Sequence, residues 1–136
     1  MLTEELRKIF QQKREKVDKT TLKITAGFQA TNFDQFRKWF KKEEFDLGCH
    51  YCGTTNEQSL KLYNMQRAGV RPDATRGGKR GKRLELDRKD PFKPYGSLDN
   101  LVWCCYWCNN AKSNFFTYEE FKPIAIEIGK ALKYIK

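Results

Sequence analysis

Four of the five cysteines in this chain form two C-x-x-C pairs, a spacing typical of metal sites. Two intervening residues let both sulfurs turn toward one ion, and four thiolates complete a tetrahedral zinc site. Cys49 and Cys52 form the first pair. In the segment VWCCYWCNN only Cys105 and Cys108 have this spacing, because Cys104 lies one position too early. We therefore predict a structural Zn²⁺ bound by these four thiolates, and we expect Cys104 to point into the core from the end of a strand.

The alternative use of the thiols is in disulfides, and the start of the chain argues against it. The segment MLTEELRKIFQQKREK lacks the basic stub and apolar run of a signal peptide. We therefore expect a cytoplasmic protein, in which thiols stay reduced. The odd number of cysteines also favours a metal site over disulfides.

The composition is that of a small basic domain. A chain of 136 residues is long enough for one domain, and 39% hydrophobic against 32% charged residues predicts a thin core. Lysine and arginine number 27 against 17 acidic residues, which gives a net charge of +10. Such an excess favours a nucleic-acid partner. The sequence contains no run of about 18 apolar residues, so we expect no association with a membrane.

Much of the positive charge is concentrated in residues 71–83, which carry six basic side chains against the single acid Asp73. The basic residues are Arg71, Arg76, Lys79, Arg80, Lys82 and Arg83. Glycines between them favour an irregular segment. Since each cation can displace a counterion from a phosphate, we expect this segment to follow the DNA backbone.

Periodic apolar patterns and capping residues predict five helices. They cover residues 3–17, residues 32–45, a segment from Thr55 to near Gly69, residues 105–114, and a last helix capped by Thr117 and Glu120. The apolar stripe predicted for the last helix consists of Phe121, Ile124, Ile128, Leu132 and Ile135. Pro123 lies inside that helix and either kinks or restarts it. The aromatic stripe of residues 32–45 is expected to lie in the core.

Two short strands, Leu84–Arg88 and Asn100–Cys104, are predicted on either side of a loop with proline and glycine turn residues. They are expected to pair as a hairpin. Strict alternation places Arg88 and Asp87 on opposite faces, so both can serve one site only if the strand ends or bulges there.

The segment from Cys49 to about Phe116 resembles the HNH, or ββα-metal, nucleases, and specifically their zinc-knuckle subset. The resemblance rests on the order D-R-x-D, Y, N, C-x-x-C-N-x-x-K. It implies an α+β fold with a small ββα-metal hairpin–helix core, stapled by the four-cysteine zinc site and flanked by helices. It also implies one domain over residues 1–136, divided into an N-terminal helical extension (1–48), the zinc-knuckle core (49–116) and a C-terminal helix (117–136).

The resemblance further implies a set of catalytic residues. These are Asp87, Arg88, Tyr95, Asn100, Asn109 and Lys112. Asp87 and Asn109 would hold a catalytic Mg²⁺ or Mn²⁺, because carboxylate and amide oxygens suit such ions. Lys112 lies on the same helix face as Asn109 and would reach a phosphate. Asn100 would tie the long loop to the hairpin.

Arg88 stands where most members of this family have the histidine that serves as general base. A guanidinium stays protonated, so Arg88 cannot remove a proton, but it can grip a phosphate. Some family members share the Asp-Arg pair and a downstream tyrosine. In these terms the base is Tyr95, or a metal-bound water loses its proton without a protein base.

These features predict a metal-dependent endonuclease that hydrolyses DNA phosphodiester bonds, of restriction or phage type. Double-stranded DNA is the expected substrate, and a symmetric homodimer would allow both strands to be cut. The alternative is a non-catalytic, zinc-stapled nucleic-acid-binding module that retains the fold without the chemistry.

Overall fold

The structure is a computed structural model of the chain, and it describes residues 3–13, 16–17, 20, 24–26, 31–72, 80–93 and 98–135. The helices in this part are α1 (Thr3–Gln12), α2 (Phe33–Trp39), α3 (Lys42–Asp46), α4 (Asn56–Arg67), α5 (Tyr106–Lys112) and α6 (Tyr118–Lys133). The strands are β1 (Lys16–Val17), β2 (Ile24–Ala26), β3 (Glu85–Arg88) and β4 (Leu101–Cys104), with a 3-10 helix at Leu98–Asn100. None of these helices is both long and apolar enough to cross a membrane.

The centre of the fold is an antiparallel hairpin of β3 and β4, in which Asp87 lies opposite Val102 and Leu86 opposite Trp103. Cys105 alone connects β4 to α5, and α5 contacts β3. This hairpin–helix unit, with helices on either side of it in the sequence, confirms the predicted α+β fold. β1 and β2 form a separate antiparallel pair.

An aromatic cluster attaches the N-terminal helices to the hairpin. The ring of Trp103 lies 5.1 Å from that of Phe45 and 6.1 Å from that of Trp39, measured between centroids. Phe36 is completely buried and stacks on Trp39. The predicted core position of this aromatic stripe is therefore confirmed. Because strand residues alternate between faces, these helices cover the face of the hairpin opposite to Asp87.

Two predicted helices are shorter in the structure. The helix expected over residues 3–17 ends before β1, and the helix expected over residues 32–45 is divided into α2 and α3. The division occurs at Phe40, whose backbone is extended (φ −62°, ψ 127°). On a continuous helix Phe40 and Phe45 would point roughly 140° apart. The break allows both rings to pack on Trp103.

α6 begins with the predicted capping box. The Thr117 hydroxyl accepts a hydrogen bond from the Glu120 amide (3.3 Å), and the Glu120 carboxylate accepts one from the Thr117 amide (2.9 Å). The helix continues without interruption through Pro123. The predicted stripe is partly wrong, because Ile124 is 37% exposed. The buried face consists of Phe121, Ala125, Gly129 and Leu132.

On this face Gly129 lies directly against the loop that contains Cys49 and Cys52. A Cβ atom on Gly129 would lie 2.9 Å from the carbonyl oxygen of Cys52 and 3.2 Å from its Cβ. Only a residue without a side chain fits at this distance.

We therefore expect Gly129→Ala to lower the free energy of unfolding by about 1–3 kcal/mol, despite the gain of about 1 kcal/mol that alanine gives in an open helix. Denaturant unfolding of the purified protein measures this change. Lys130→Ala, at the next and exposed position of the same helix, is the control and should change stability by less than about 0.5 kcal/mol. A Gly129→Ala variant as stable as the parent would show that α6 does not press on this loop.

Candidate metal centre and active site

The loop between Cys49 and Cys52 is a tight turn built on two glycines. Gly48 and Gly53 both have positive φ values, of 99° and 80°. The Cys49 amide donates to the Thr54 carbonyl, and the Gly53 amide donates to the Cys49 carbonyl, each at 2.8 Å. These bonds direct the thiols of Cys49 and Cys52 toward the start of α5.

The four thiols predicted as ligands come together in one cluster. The sulfurs of Cys49, Cys52, Cys105 and Cys108 all lie within 4.8 Å of one another. Those of Cys52 and Cys105 are 3.7 Å apart. A tetrahedral zinc with bonds of about 2.3 Å would place its sulfurs about 3.8 Å apart. The arrangement therefore fits a metal ion of this kind.

Cys105 is also the N-cap of α5, since its sulfur accepts a hydrogen bond from the Cys108 amide at 3.4 Å. Hydrogen bonds from the Cys105 and Cys108 thiols lower the pKa of Cys52. Cys104 lies outside the four-thiol cluster. It is completely buried in the core, and burial raises the pKa of its thiol. Its predicted position at the end of the strand is confirmed.

The second group of interacting side chains surrounds Asp87, on the face of β3 that meets α5. The Lys112 ammonium lies 3.1 Å from Asp87 Oδ2 and donates to the Arg88 carbonyl at 2.7 Å. The Tyr51 hydroxyl donates to the same Oδ2 atom. Asp87 is 7% exposed and Lys112 is 1% exposed. Lys112 is thus turned inward, away from solvent. The sequence had instead predicted that its ammonium reaches a phosphate.

Asn109 lies over the same face, above Glu85. Its side-chain amide donates to a Glu85 carboxylate oxygen at 3.0 Å, and the Arg80 guanidinium forms an ion pair with that carboxylate. The ion pair raises the pKa of Arg80. Because Glu85 and Asp87 are two residues apart, both point from β3 toward α5. Asp87 and Asn109 are therefore brought to one face.

Two residues of this site, Tyr51 and Glu85, were not predicted. Glu85 could have been found from its spacing, since a residue two positions before Asp87 shares its face. Tyr51 gave no such signal, because it lies 36 residues before Asp87 in the chain. Burial and the adjacent Asp87 carboxylate raise the pKa of Tyr51 far above its usual value, so its hydroxyl remains a donor.

Arg88 is the last residue of β3, and its guanidinium bridges the segment after β3 and the segment after α5. It donates to the Lys93 carbonyl at 3.3 Å and to the Asn114 side chain at 3.2 Å. Asn100 holds the turn after β3 by accepting from the Asp90 amide (2.9 Å) and donating to the Asp90 carbonyl (3.0 Å). This is the contact predicted for Asn100. Arg88 still pairs with Leu101, so alternation directs it away from the face of Asp87, but its long side chain extends past the strand end to Asn114.

The basic segment is described only at its ends. Arg71 and Lys82 are exposed. Arg83 donates to the Leu84 carbonyl, and burial lowers its pKa. Three predicted site residues lie outside the described residues, namely Arg76, Lys79 and the candidate base Tyr95.

Comparison with solved structures shows a similarity in fold. No family model matches the sequence, and no curated protein matches it. The fold is similar to that of PacI, a rare-cutting HNH restriction endonuclease that perturbs DNA, with a TM-score of 0.57 and 26% sequence identity. The similarity covers 76% of this chain and 65% of that chain, so the chain spans less than two-thirds of the length of PacI. The predicted resemblance to HNH endonucleases is confirmed, together with a four-cysteine cluster that could hold zinc.

The ligand assignment predicts different results for two adjacent cysteines. We expect the purified protein to contain one metal ion per chain, and Cys105→Ser should lose both the ion and compactness, since metal binding contributes to folding. Cys104→Ser, the neighbouring control, should retain the ion. Elemental analysis of the purified variants measures both. Loss of the ion from Cys104→Ser with retention in Cys105→Ser would contradict the assignment.

Proposed function

We propose that this protein is a metal-dependent endonuclease that hydrolyses phosphodiester bonds of double-stranded DNA. The observation that carries the proposal is the buried Asp87 carboxylate on a hairpin–helix unit, oriented by two donors and placed on the same face as Asn109. A module that only binds DNA has no need of a carboxylate near a phosphate, because the two repel. The similarity to an HNH restriction endonuclease supports the same conclusion.

We assign the four-thiol cluster to a structural zinc. Thiolates are soft ligands that select zinc over magnesium or calcium, and four protein ligands leave no position open for a substrate. The zinc in this proposal therefore maintains the fold and takes no part in hydrolysis.

We assign the catalytic ion, Mg²⁺ or Mn²⁺, to Asp87 and Asn109. Among the described residues none donates to Oδ1 of Asp87 or to Oδ1 of Asn109, so each offers one oxygen of the type that these ions prefer. When bound, such an ion neutralises negative charge that develops on the scissile phosphate. The position of both side chains on one face supports this assignment.

In this scheme Arg88 holds the scissile phosphate. Its guanidinium is partly exposed at the end of β3, where the strand and α5 meet, and it provides planar donors that match phosphate oxygens. Tyr95 remains the proposed base. It follows the turn that Asn100 and Arg88 hold, two residues after Lys93. A symmetric homodimer would supply one site for each DNA strand.

Incubation with supercoiled plasmid tests the proposal. The purified protein should convert the plasmid to nicked and linear forms with Mg²⁺ or Mn²⁺, and EDTA should prevent this. Asp87→Asn should reduce the rate by roughly 10²-fold or more, because the assigned ligand pair then loses its negative charge. Unchanged plasmid with Mg²⁺, Mn²⁺, Ca²⁺ and Ni²⁺ would instead favour the non-catalytic binding module.

Asp87→Asn requires a control for folding, since it leaves the buried Lys112 ammonium unpaired at a cost of about 3–5 kcal/mol. Arg88→Ala provides the second test, because this side chain is partly exposed. It should slow cleavage and weaken DNA binding together, while the circular dichroism spectrum stays unchanged. Cleavage at the parental rate by Arg88→Ala would remove Arg88 from the proposed site.

The exposed basic residues generate a separate prediction about binding. Replacing both Arg71 and Lys82 with alanine should reduce the slope of log affinity against log salt by about 0.9 for each phosphate contact that is lost. The control replaces Lys130 and Lys133, which are exposed on α6, and should leave the slope unchanged. Equal slopes for the parent and the Arg71/Lys82 variant would show that these two residues do not contact the DNA backbone.

A further inference from the structure

We propose that Tyr51 is a positioning residue for Asp87, through which the four-thiol cluster sets the orientation of the catalytic carboxylate. The inference rests on the proposed function, because it assigns Asp87 to the catalytic ion. It adds a residue to the site and gives the thiol cluster a second role besides maintaining the fold.

The ring of Tyr51 is held on two sides by aromatic residues. It packs edge-on against Phe121 at 5.5 Å and at a tilt against Tyr118 at 5.6 Å, both measured between centroids. Tyr51 is 8% exposed. A ring that is fixed in this way directs its hydroxyl to one point, and that point is Oδ2 of Asp87.

Both donors to Asp87 bind the same oxygen. Oδ2 receives the Tyr51 hydroxyl and the Lys112 ammonium, whereas Oδ1 receives no hydrogen bond or ion pair from the described part of the chain. Two donors on one oxygen restrict rotation of the carboxylate, and they leave the other oxygen for a ligand. Loss of either donor would allow the carboxylate to turn.

The two donors are carried by the two halves of the thiol cluster. Tyr51 lies between Cys49 and Cys52 in the loop that supplies the first two sulfurs. Lys112 lies on α5, one turn after Cys108 and on the same side of the helix. An ion bound by all four thiols therefore fixes the Tyr51 hydroxyl and the Lys112 ammonium relative to each other. Asp87 Oδ2 lies where the two donors converge.

Tyr51→Phe tests this role, because it keeps the ring and its packing and removes only the hydroxyl. Tyr118→Phe is the matched control, since the neighbouring ring packs against Tyr51 and His50 and its hydroxyl forms no hydrogen bond among the described residues. Zinc content and unfolding midpoints should confirm that both variants are folded. Mn²⁺ binding to the zinc-loaded proteins is then measured with a short DNA duplex, from the electron paramagnetic resonance signal of free Mn²⁺.

We expect Tyr51→Phe to bind Mn²⁺ at least about tenfold more weakly than the parent, with zinc retained. In plasmid cleavage it should lower kcat and leave KM for DNA unchanged, because the hydroxyl does not contact the DNA. Tyr118→Phe should match the parent in every measurement.

Equal Mn²⁺ affinity in Tyr51→Phe and the parent would overturn the inference, as would a parent that binds no Mn²⁺ beyond the cysteine site. A parent that binds Mn²⁺ with the expected Tyr51 dependence but cuts no DNA would contradict the proposed nuclease and leave the positioning role intact. The two failures are therefore distinguishable.

Discussion

The convergence of four thiols on one point is the constraint on which the rest of the structure depends. It joins the loop at Cys49 and Cys52 to the start of α5, two segments that are separated by more than fifty residues. The hairpin lies between them and is held from both ends. A domain of this size buries little apolar surface, so an ion bound by the four thiols would supply part of the folding free energy. The close packing of α6 at Gly129 depends on the same loop.

The burial of two charged side chains is the second feature of the structure, and it costs free energy. Asp87 and Lys112 are both removed from water, and desolvation of each ion costs several kcal/mol that their attraction only partly restores. Two apolar side chains of similar size would stabilise the fold at least as well. The burial of this pair is therefore better explained by a function for the carboxylate. The chain places a second carboxylate, Glu85, on the same face and pairs it with Arg80, so the two acids have separate partners.

The sequence predicted those features that depend on spacing along the chain. The C-x-x-C pairs, the capping box at Thr117 and both strands of the central hairpin are encoded within a few residues, so their patterns are visible. The division of residues 32–45 into two helices was not visible, because it depends on how two rings pack on the distant Trp103. The buried face of α6 was missed for a similar reason, since it follows from the position of the Cys52 backbone.

At the candidate site, too, features set by spacing along the chain were predicted, whereas contacts between residues far apart in the chain were not. The sequence identified Asp87, Asn109 and Lys112 as members of one site. It predicted that Lys112 reaches a phosphate and did not reveal its burial, because a position on a helix face says nothing about burial. Tyr51 could not be found, since it lies 36 residues before Asp87 in the chain and meets it only in the folded structure. Helical spacing alone did not reveal that Asn109 bonds to Glu85.

The central claim, that Asp87 and Asn109 hold the catalytic ion, is tested most directly by anomalous diffraction at the manganese edge. Crystals of the protein bound to a DNA duplex would be soaked in Mn²⁺. We predict an anomalous peak within bonding distance of Oδ1 of Asp87 and Oδ1 of Asn109, with Lys112 and Tyr51 still on Oδ2 of Asp87. No peak at this position, or a peak that Asp87 does not contact, would contradict the assignment.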